Sequence, residues 1–435
     1  MRVRRSSVAS TVTRLLPRIA DGKLTALPVA LRFWDGSVLP AARRAGPPEA
    51  VVAVSRRAVA HLVHAPGQLG MARAWVDGSL DIEGELEAVI ASRGAFDGVR
   101  LSPRDIARVA LTAARAGGPE VLRRPPVPSI EAGVHGRRHS NRRDGDAVRH
   151  HYDLSNDFYE LVLGPSMVYS CAYFCDPADS LEHAQEAKLD LICRKLMLAP
   201  GQRLLDIGCG WGSLALHAAE HYGVDVLGVT LSELQARYAR ERAAERGLQG
   251  RARFEVADYR ELSGRRFERI ASVGMFEHVG QAQLSDYFMR IRRMLEPGGL
   301  LLNHGIGRLK PHPPQTDAFI ARYIFPDGEL MPLAEVIAAV QSAGLEPRDV
   351  ESLREHYPPT LRSWHANLQA HRDAATAVVG SERVRAWELY MLACALAFED
   401  AEITVYQVLA ARDGAHGLPL DRLQLLEPRR DAAAA

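Results

Sequence analysis

Leu204-Leu-Asp-Ile-Gly-Cys-Gly-Trp-Gly212 sets three glycines at alternate positions behind an aspartate. Gly208, Gly210 and Gly212 let a backbone turn tightly and approach a ligand with no side chain in the way. Such a loop at the carboxyl ends of parallel strands is where open α/β sheets bind cofactors. A dinucleotide site would show G-x-G-x-x-G and an acid about 20 residues on. This chain has G-x-G-x-G, and the next strand ends in Gly228-Val-Thr230 without an acid, so a nicotinamide site is disfavoured. Elsewhere in the chain lie residues able to move a proton: Cys171, Glu277-His278 and His304. Singly, each has a plainer reading. A cysteine is more often a small buried hydrophobe, Glu277-His278 an ion pair at a strand end, and His304 a satisfied core histidine. Cys171-x3-Cys175 has no second cysteine or histidine pair at metal spacing nearby, so no metal site is expected.

These residues need a scaffold, and the chain after residue 150 supplies an alternation of strands and helices. Strands are expected at 203–207, 224–229, 253–256, 269–273 and 300–303, with helices at 213–222, 232–246 and 281–295, the last ended by Pro297-Gly-Gly299. That alternation predicts a doubly wound, mostly parallel sheet. A smaller α/β accessory domain precedes it: strands at 29–34 and 51–54, the turn dipeptide Asp35-Gly36, and helices at 58–64, 69–76, 86–91 and 103–116. The expected divisions are an accessory domain over 1–122, a linker over 123–149, a catalytic domain with a helical insertion over 150–412, and a tail over 413–435.

The D-x-G-x-G-x-G form resembles the first motif of S-adenosylmethionine methyltransferases, and Asp258-Tyr259 after the third strand fits that class. A wider set of blocks resembles the cyclopropane-fatty-acyl-phospholipid synthases and the related mycolic acid cyclopropane synthases. It comprises His151-Tyr-Asp-Leu-Ser-Asn-Asp157, Tyr169-Ser-Cys-Ala-Tyr173, Gly228-Val-Thr-Leu-Ser232 with Gln235, and Gly274-Met-Phe-Glu-His-Val-Gly280. His304-Gly-Ile-Gly307, Tyr323-Ile-Phe-Pro326, His356-Tyr357 and Ala393-Cys394 continue it in order. The resemblance implies a Rossmann-like class I methyltransferase domain and methylene transfer to the cis double bond of an unsaturated phospholipid acyl chain. It implies S-adenosylmethionine held by Tyr169, Ser170, Asp206, Gly208, Gly210, Gly212, Thr230, Gln235, Asp258 and Tyr259. It also implies a bicarbonate held by Cys171, Glu277, His304, the backbone of Ile306 and Tyr357, with Cys394 at a further active-site position. Asn303, before His304, departs from the family and is expected to add a polar group near the anion. Rival readings are methyl or exocyclic methylene addition giving a branched chain, an ordinary small-molecule methyltransferase, and a non-enzymatic phospholipid-binding protein.

Lys plus Arg total 54 and Asp plus Glu 53, so nucleic acid is not an expected partner. Five scattered cysteines make no disulfide framework, and Cys175 and Cys193 read as packing residues. No apolar run reaches the roughly 18 residues of a spanning helix, and Leu389 to Phe398 reads as a core helix. Residues 123–151 carry seven arginines (123, 124, 137, 138, 142, 143 and 149) against three acids. Such an arm is either a solvated connector or is drawn to anionic head groups. The expected location is cytoplasmic, peripheral on the inner membrane leaflet, and the resemblance implies a homodimer.

Overall fold

A computed structural model describes residues 7–22, 27–42, 50–93, 102–132, 143, 154–309, 318–415 and 417–426. The chain divides into two compact units. One holds residues 1–132, 318–324 and 380–393, the other 133–317, 325–379 and 394–435. The first unit thus runs ten residues past the expected boundary and takes in two segments from the far half of the chain. Glu131 gives a physical reason for the longer reach. Its carboxylate accepts from Arg73 at 2.7 Å, from Arg322 at 2.7 Å and from the Tyr323 hydroxyl at 2.8 Å, and these partners hold it down to about pKa 2 against burial.

The first unit carries a four-stranded sheet, β1 (Ala30–Phe33), β2 (Val38–Leu39), β3 (Ala50–Val54) and β4 (Leu80–Gly84), in the order β2-β1-β3-β4. Helices α1 (Val8–Leu15), α2 (Arg56–His64), α3 (Gln68–Val76), α4 (Leu86–Ala91) and α5 (Pro103–Gly117) accompany it. Three of these elements lie outside the sequence reading, the two-residue β2 after the Asp35-Gly36 turn among them. α1 was hidden in an arginine-rich stretch, and β4 buries only Leu80, its acids facing outward. α5 begins where local chemistry dictates: Ser102 and Asp105 form a reciprocal capping box and Pro103 occupies the first turn.

The second unit is built on β5 (Arg203–Ile207), β6 (Asp225–Thr230), β7 (Ala252–Val256), β8 (Phe267–Val273), β9 (Leu295–Arg308), β10 (Met331–Pro332), β11 (Glu346–Ser352) and β12 (Ile403–Ala411). The order is β11-β12-β9-β8-β5-β6-β7, with β10 beside β9. β9, β8, β5, β6 and β7 are parallel, whereas β12 runs antiparallel to both β9 and β11. Its helices include α6 (Asn156–Leu163), α7 (Leu181–Lys195), α8 (Ser213–Tyr222), α9 (Glu233–Glu245), α10 (Leu284–Met294), α11 (Leu333–Ser342), α12 (Tyr357–Ala370) and α13 (Ser381–Glu399), the last shared with the first unit.

Covering both faces explains why β5 reads Leu-Leu-Asp-Ile rather than alternating. Leu204, Ala271, Leu300 and Leu302 pack with Ile192 of α7 and Leu214 and Ala218 of α8. Leu205, Ile207, Ile270 and Leu301 pack on the opposite face with Tyr287 and Ile291 of α10 and Val340 of α11. The helix expected at 281–295 stops at Met294, and β9 starts at once and runs through Pro297-Gly298-Gly299. A register shift between Phe267 and Arg269 accommodates the proline. Gly298, at φ +77°, leaves no room for a Cβ, which would sit 2.9 Å from the Gly414 carbonyl oxygen.

Candidate active site

The glycine loop leaves β5 and enters α8 at the carboxyl end of the sheet. Gly208, Gly210 and Gly212 adopt φ of +75°, +54° and +85°, a region side chains rarely enter. Gly208 and Gly210 face a cavity that Tyr169, Ser170, Asp206, Thr230, Gln235, Asp258 and Tyr259 also line. Gly212 does not line it. A Cβ there would meet the Phe254 ring and Ala239 at 2.8–2.9 Å, so this glycine serves the contact of loop and helix. Thr230 donates its hydroxyl proton to Gln235 Oε1 at 2.7 Å, which leaves the Gln235 amide nitrogen beside Gly210. Asp258 is already engaged by the Arg260 guanidinium at 2.5 Å, and Tyr259 meets Tyr287 edge to face at 5.4 Å.

Beside this cradle, the ends of β8, β9 and β12 gather the second group. Glu277 is buried on the short turn after β8, and its Oε1 accepts from the Ile306 backbone N–H at 2.7 Å. Its other carboxyl oxygen, Oε2, is buried and has no partner among the described residues. His304 pairs across the sheet with Gln407, Nδ1 to the amide nitrogen at 3.3 Å, while its Nε2 is likewise buried with no partner among the described residues. Cys171 is fully buried and directs its thiol to the carbonyls of Ala172, at 3.3 Å, and Leu353, at 3.7 Å. Leu353 in turn donates its N–H to Val405, the β12 partner of Ile306. Tyr357 opens α12 four residues later and stacks on Phe398 at 4.4 Å. Tyr169 continues the aromatic wall, 5.2 Å from Trp364 and 5.8 Å from Tyr159.

Burial sets the electrostatics. It pushes the Glu277 carboxyl up to about 7, opposed by the Ile306 N–H. It pushes Asp206 up to about 7, opposed by the Lys188 ammonium. It holds the His304 imidazole neutral, down to about 3, with Lys188 and Lys195 acting in the same direction. Burial also raises the Cys171 thiol far above its ordinary value, so it is present as S–H.

A carboxyl group whose pKa is higher folded than unfolded stabilises the fold below its unfolded value and loses that contribution as pH rises through the folded one. For Glu277 the window runs from 4.5 to about 7. Unfolding by urea is therefore expected to show a fall in stability from pH 5 to pH 7. Glu277→Gln should remove on the order of 2 kcal/mol of that fall, at 1.36 kcal/mol per unit. An unchanged pH slope in the variant would contradict this.

Cys394 is half-buried on α13, and like Cys171, Glu277, His304 and Tyr357 it is not among the residues lining the cofactor cavity. Three expectations need correction. Asn303 faces away from His304, as alternate residues of a strand must, and its Oδ1 accepts from the Tyr287 hydroxyl at 3.3 Å on the α10 side. Cys175 is exposed rather than packed. Arg143 is not a free cation of a basic arm, because it pairs with Asp327. The other arginines of that arm up to residue 149, save the exposed Arg123 and Arg124, lie outside the described residues, as does His151-Tyr-Asp153.

The sequence reading missed Lys188, which is 1% exposed and lines the cofactor cavity, and Gln185 one turn before it. Their signal was positional. Both fall on the face of α7 shared with Ala184, Leu191 and Ile192, where a lysine is out of place unless it has buried partners.

A parallel sheet ending in a glycine cradle, with a threonine–glutamine pair at the second strand, defines a class I methyltransferase that uses S-adenosylmethionine. The particular family follows from comparison: over residues 139–408 the chain matches the mycolic acid cyclopropane synthetase family, and it belongs to that family. It is 38% identical to a probable fatty acid methyltransferase of Pseudomonas putida, covering 91% of this chain and 95% of that protein. It is 41% identical to the cyclopropane-fatty-acyl-phospholipid synthase of Escherichia coli strain K12, over 65% of this chain and 72% of that one. Among solved structures, a cyclopropane synthase from Mycobacterium tuberculosis superposes with a TM-score of 0.59 at 36% identity, covering 62% of this chain and 98% of that chain. A mycolic acid cyclopropane synthase complexed with SAH and CTAB superposes equally well, TM-score 0.59 at 35% identity, over 62% of this chain and 98% of that one. Among the described residues, no helix is long and apolar enough to cross a membrane.

Proposed function

We propose that the protein transfers a methylene group from S-adenosylmethionine to the cis double bond of an unsaturated phospholipid acyl chain, leaving a cyclopropane ring. The observation that carries this reading is the pair of buried atoms Glu277 Oε2 and His304 Nε2 beside the cofactor cradle, neither with a partner among the described residues. Heteroatom methylation loses at most the proton of the nucleophile's own N–H or O–H and takes none from the transferred methyl group. Adding a carbon to an alkene leaves a cation that must lose a proton before the ring can close.

S-adenosylmethionine, when bound, supplies an electrophilic methyl group, and bicarbonate, when bound, supplies a base too weak a nucleophile to trap a carbocation. The donor set fits such an anion. His304 Nε2, if it bears the imidazole proton, can donate to it, and the Ile306 N–H, which donates to Glu277 Oε1 at 2.7 Å, would reach it by exchanging that partner. Glu277, near 7, can take up the proton. Cys171 and Tyr357 complete the ligand set by resemblance. The faces of Tyr169 and Tyr357 are suited to stabilise positive charge through their π-systems. Excluding water strengthens each of these interactions.

Dioleoyl phospholipid vesicles incubated with the protein, S-adenosylmethionine and bicarbonate should yield fatty acids heavier by one CH2 that resist mild hydrogenation. Products that take up hydrogen would instead support methyl or methylene addition giving a branched chain. That second reading draws on the relatives that match along nearly the whole chain, which are named probable fatty acid methyltransferases. The phospholipid would come from the inner leaflet, with the protein cytoplasmic, peripheral and dimeric. Exposed Leu122 and Val127 flank Arg123 and Arg124 in the first unit, an apolar and basic surface suited to a bilayer. Sedimentation with vesicles should increase with anionic lipid and fall with salt. Binding indifferent to both would remove the basic surface from the account.

A further inference from the structure

Four strands place side chains on the face of the sheet that α7 covers: Asp206 on β5, Val273 on β8, His304 on β9 and Gln407 on β12. Into that layer α7 inserts Lys188. Its Nζ donates to Ser170 Oγ at 2.8 Å, and one turn earlier Gln185 Nε2 donates to the Ser170 carbonyl at 2.9 Å. Gln185 and Lys188 are i,i+3 neighbours on one helix face, so a single helix grips both the backbone and the side chain of Ser170. Ser170 lies between Tyr169 of the cofactor wall and Cys171 of the candidate anion site. Asp206 lines the same cavity as Lys188, is 2% exposed, and its Oδ2 has no partner among the described residues.

We infer that Lys188 is a positioning residue that holds Ser170 against the cofactor cradle and supplies the buried counter-charge that keeps Asp206 ionised to receive the positively charged end of S-adenosylmethionine. The inference rests on the methyltransferase reading of the cavity and holds whichever lipid product forms. Other ionisable groups in this electrostatic environment are Cys171, Cys193 and His304. Cys171 and His304 are present as S–H and neutral imidazole, and burial raises the Cys193 thiol well above its ordinary value. Lys195, also on α7, is paired with Glu351 and Asp349. This leaves Lys188 and Asp206 as the ionised couple of the layer. Burial pulls Lys188 down to about 8 and, with Lys188 opposing it, pushes Asp206 up to about 7, so without that cation the carboxyl would hold its proton to still higher pH.

Calorimetric titration of S-adenosylhomocysteine into the purified protein between pH 6 and pH 9 tests this without turnover. Wild type should bind more weakly below pH 7. Lys188→Met should move the midpoint of that loss up by about one unit, so that affinity falls about fivefold at pH 7 and recovers toward pH 9. Lys188→Arg should return the midpoint to the wild-type value or below. Ser170→Ala should weaken binding equally at every pH, because it removes the hydroxyl that Lys188 holds, keeps the Gln185 contact to the carbonyl and leaves the charge. A uniform loss in Lys188→Met, with no shift of midpoint, would overturn the counter-charge role, and an unchanged Ser170→Ala would overturn the strap. Wild-type protein that binds no S-adenosylhomocysteine at any pH would overturn the cofactor reading itself. If Lys188→Met does not fold, the arginine and alanine variants still decide, since a midpoint in Lys188→Arg above the wild-type value contradicts the proposal.

Discussion

Glu277→Gln is expected to abolish lipid product while leaving S-adenosylhomocysteine affinity within about twofold of wild type. Glutamine keeps the shape of the side chain and the acceptor oxygen for the Ile306 N–H, 2.7 Å from Oε1 in the parent. What it removes is a group that titrates near neutrality, at about 7, and so can take a proton and release it again. Losing a positioned proton acceptor typically costs 10²–10⁴-fold, on the order of 3–5 kcal/mol in the barrier. Because Glu277 does not line the cofactor cavity, the loss should fall on turnover rather than on cofactor binding. The check pairs a lipid assay with calorimetry. Product formation within tenfold of wild type would exclude Glu277 from proton removal and return the protein to ordinary heteroatom methylation.

Gly305→Ala is expected to be the most damaging single-methyl change near the site. A Cβ at Gly305 would lie 1.8 Å from Cε1 and 2.2 Å from Cδ1 of the Phe276 ring. No rotamer change of a methyl group relieves that overlap, so the ring and the turn carrying it must move. Overpacking of this kind costs typically 1–3 kcal/mol, occasionally more. The turn is the one that presents Glu277, so activity should fall together with stability. Phe276→Leu combined with Gly305→Ala should recover part of the stability, since contacting residues couple. Urea unfolding of the two single variants and the double variant measures this. A Gly305→Ala protein as stable as wild type would show that the glycine is not there for Phe276.

The strands β5 to β8 and the helices between them were legible because their signals are local. Leu204-Leu205 is a continuous apolar run, Gly223 at φ +64° stops α8, and the glycine loop announces the cofactor cradle. The antiparallel β11 and β12 were not legible, because their partners lie far along the chain and their sequences are partly polar. Lys188 escaped for a related reason: nothing within a few residues of it shows that Ser170 and Asp206 converge on its ammonium. Asn303 shows the opposite failure. Adjacency to His304 in sequence suggested adjacency in the site, whereas strand geometry sends neighbouring side chains to opposite faces. The two orphaned atoms, Glu277 Oε2 and His304 Nε2, could only be found in three dimensions.

The central claim is carbon–carbon methylene transfer with removal of a proton from the incoming methyl group. Its most direct test is S-adenosylmethionine bearing a fully deuterated methyl group, incubated with oleoyl phospholipid vesicles, followed by mass analysis of the released fatty acids. The account predicts a heavier acyl chain that retains two of the three deuterium atoms and resists hydrogenation. Retention of all three, or label found on a heteroatom with the acyl chain unchanged, would contradict it.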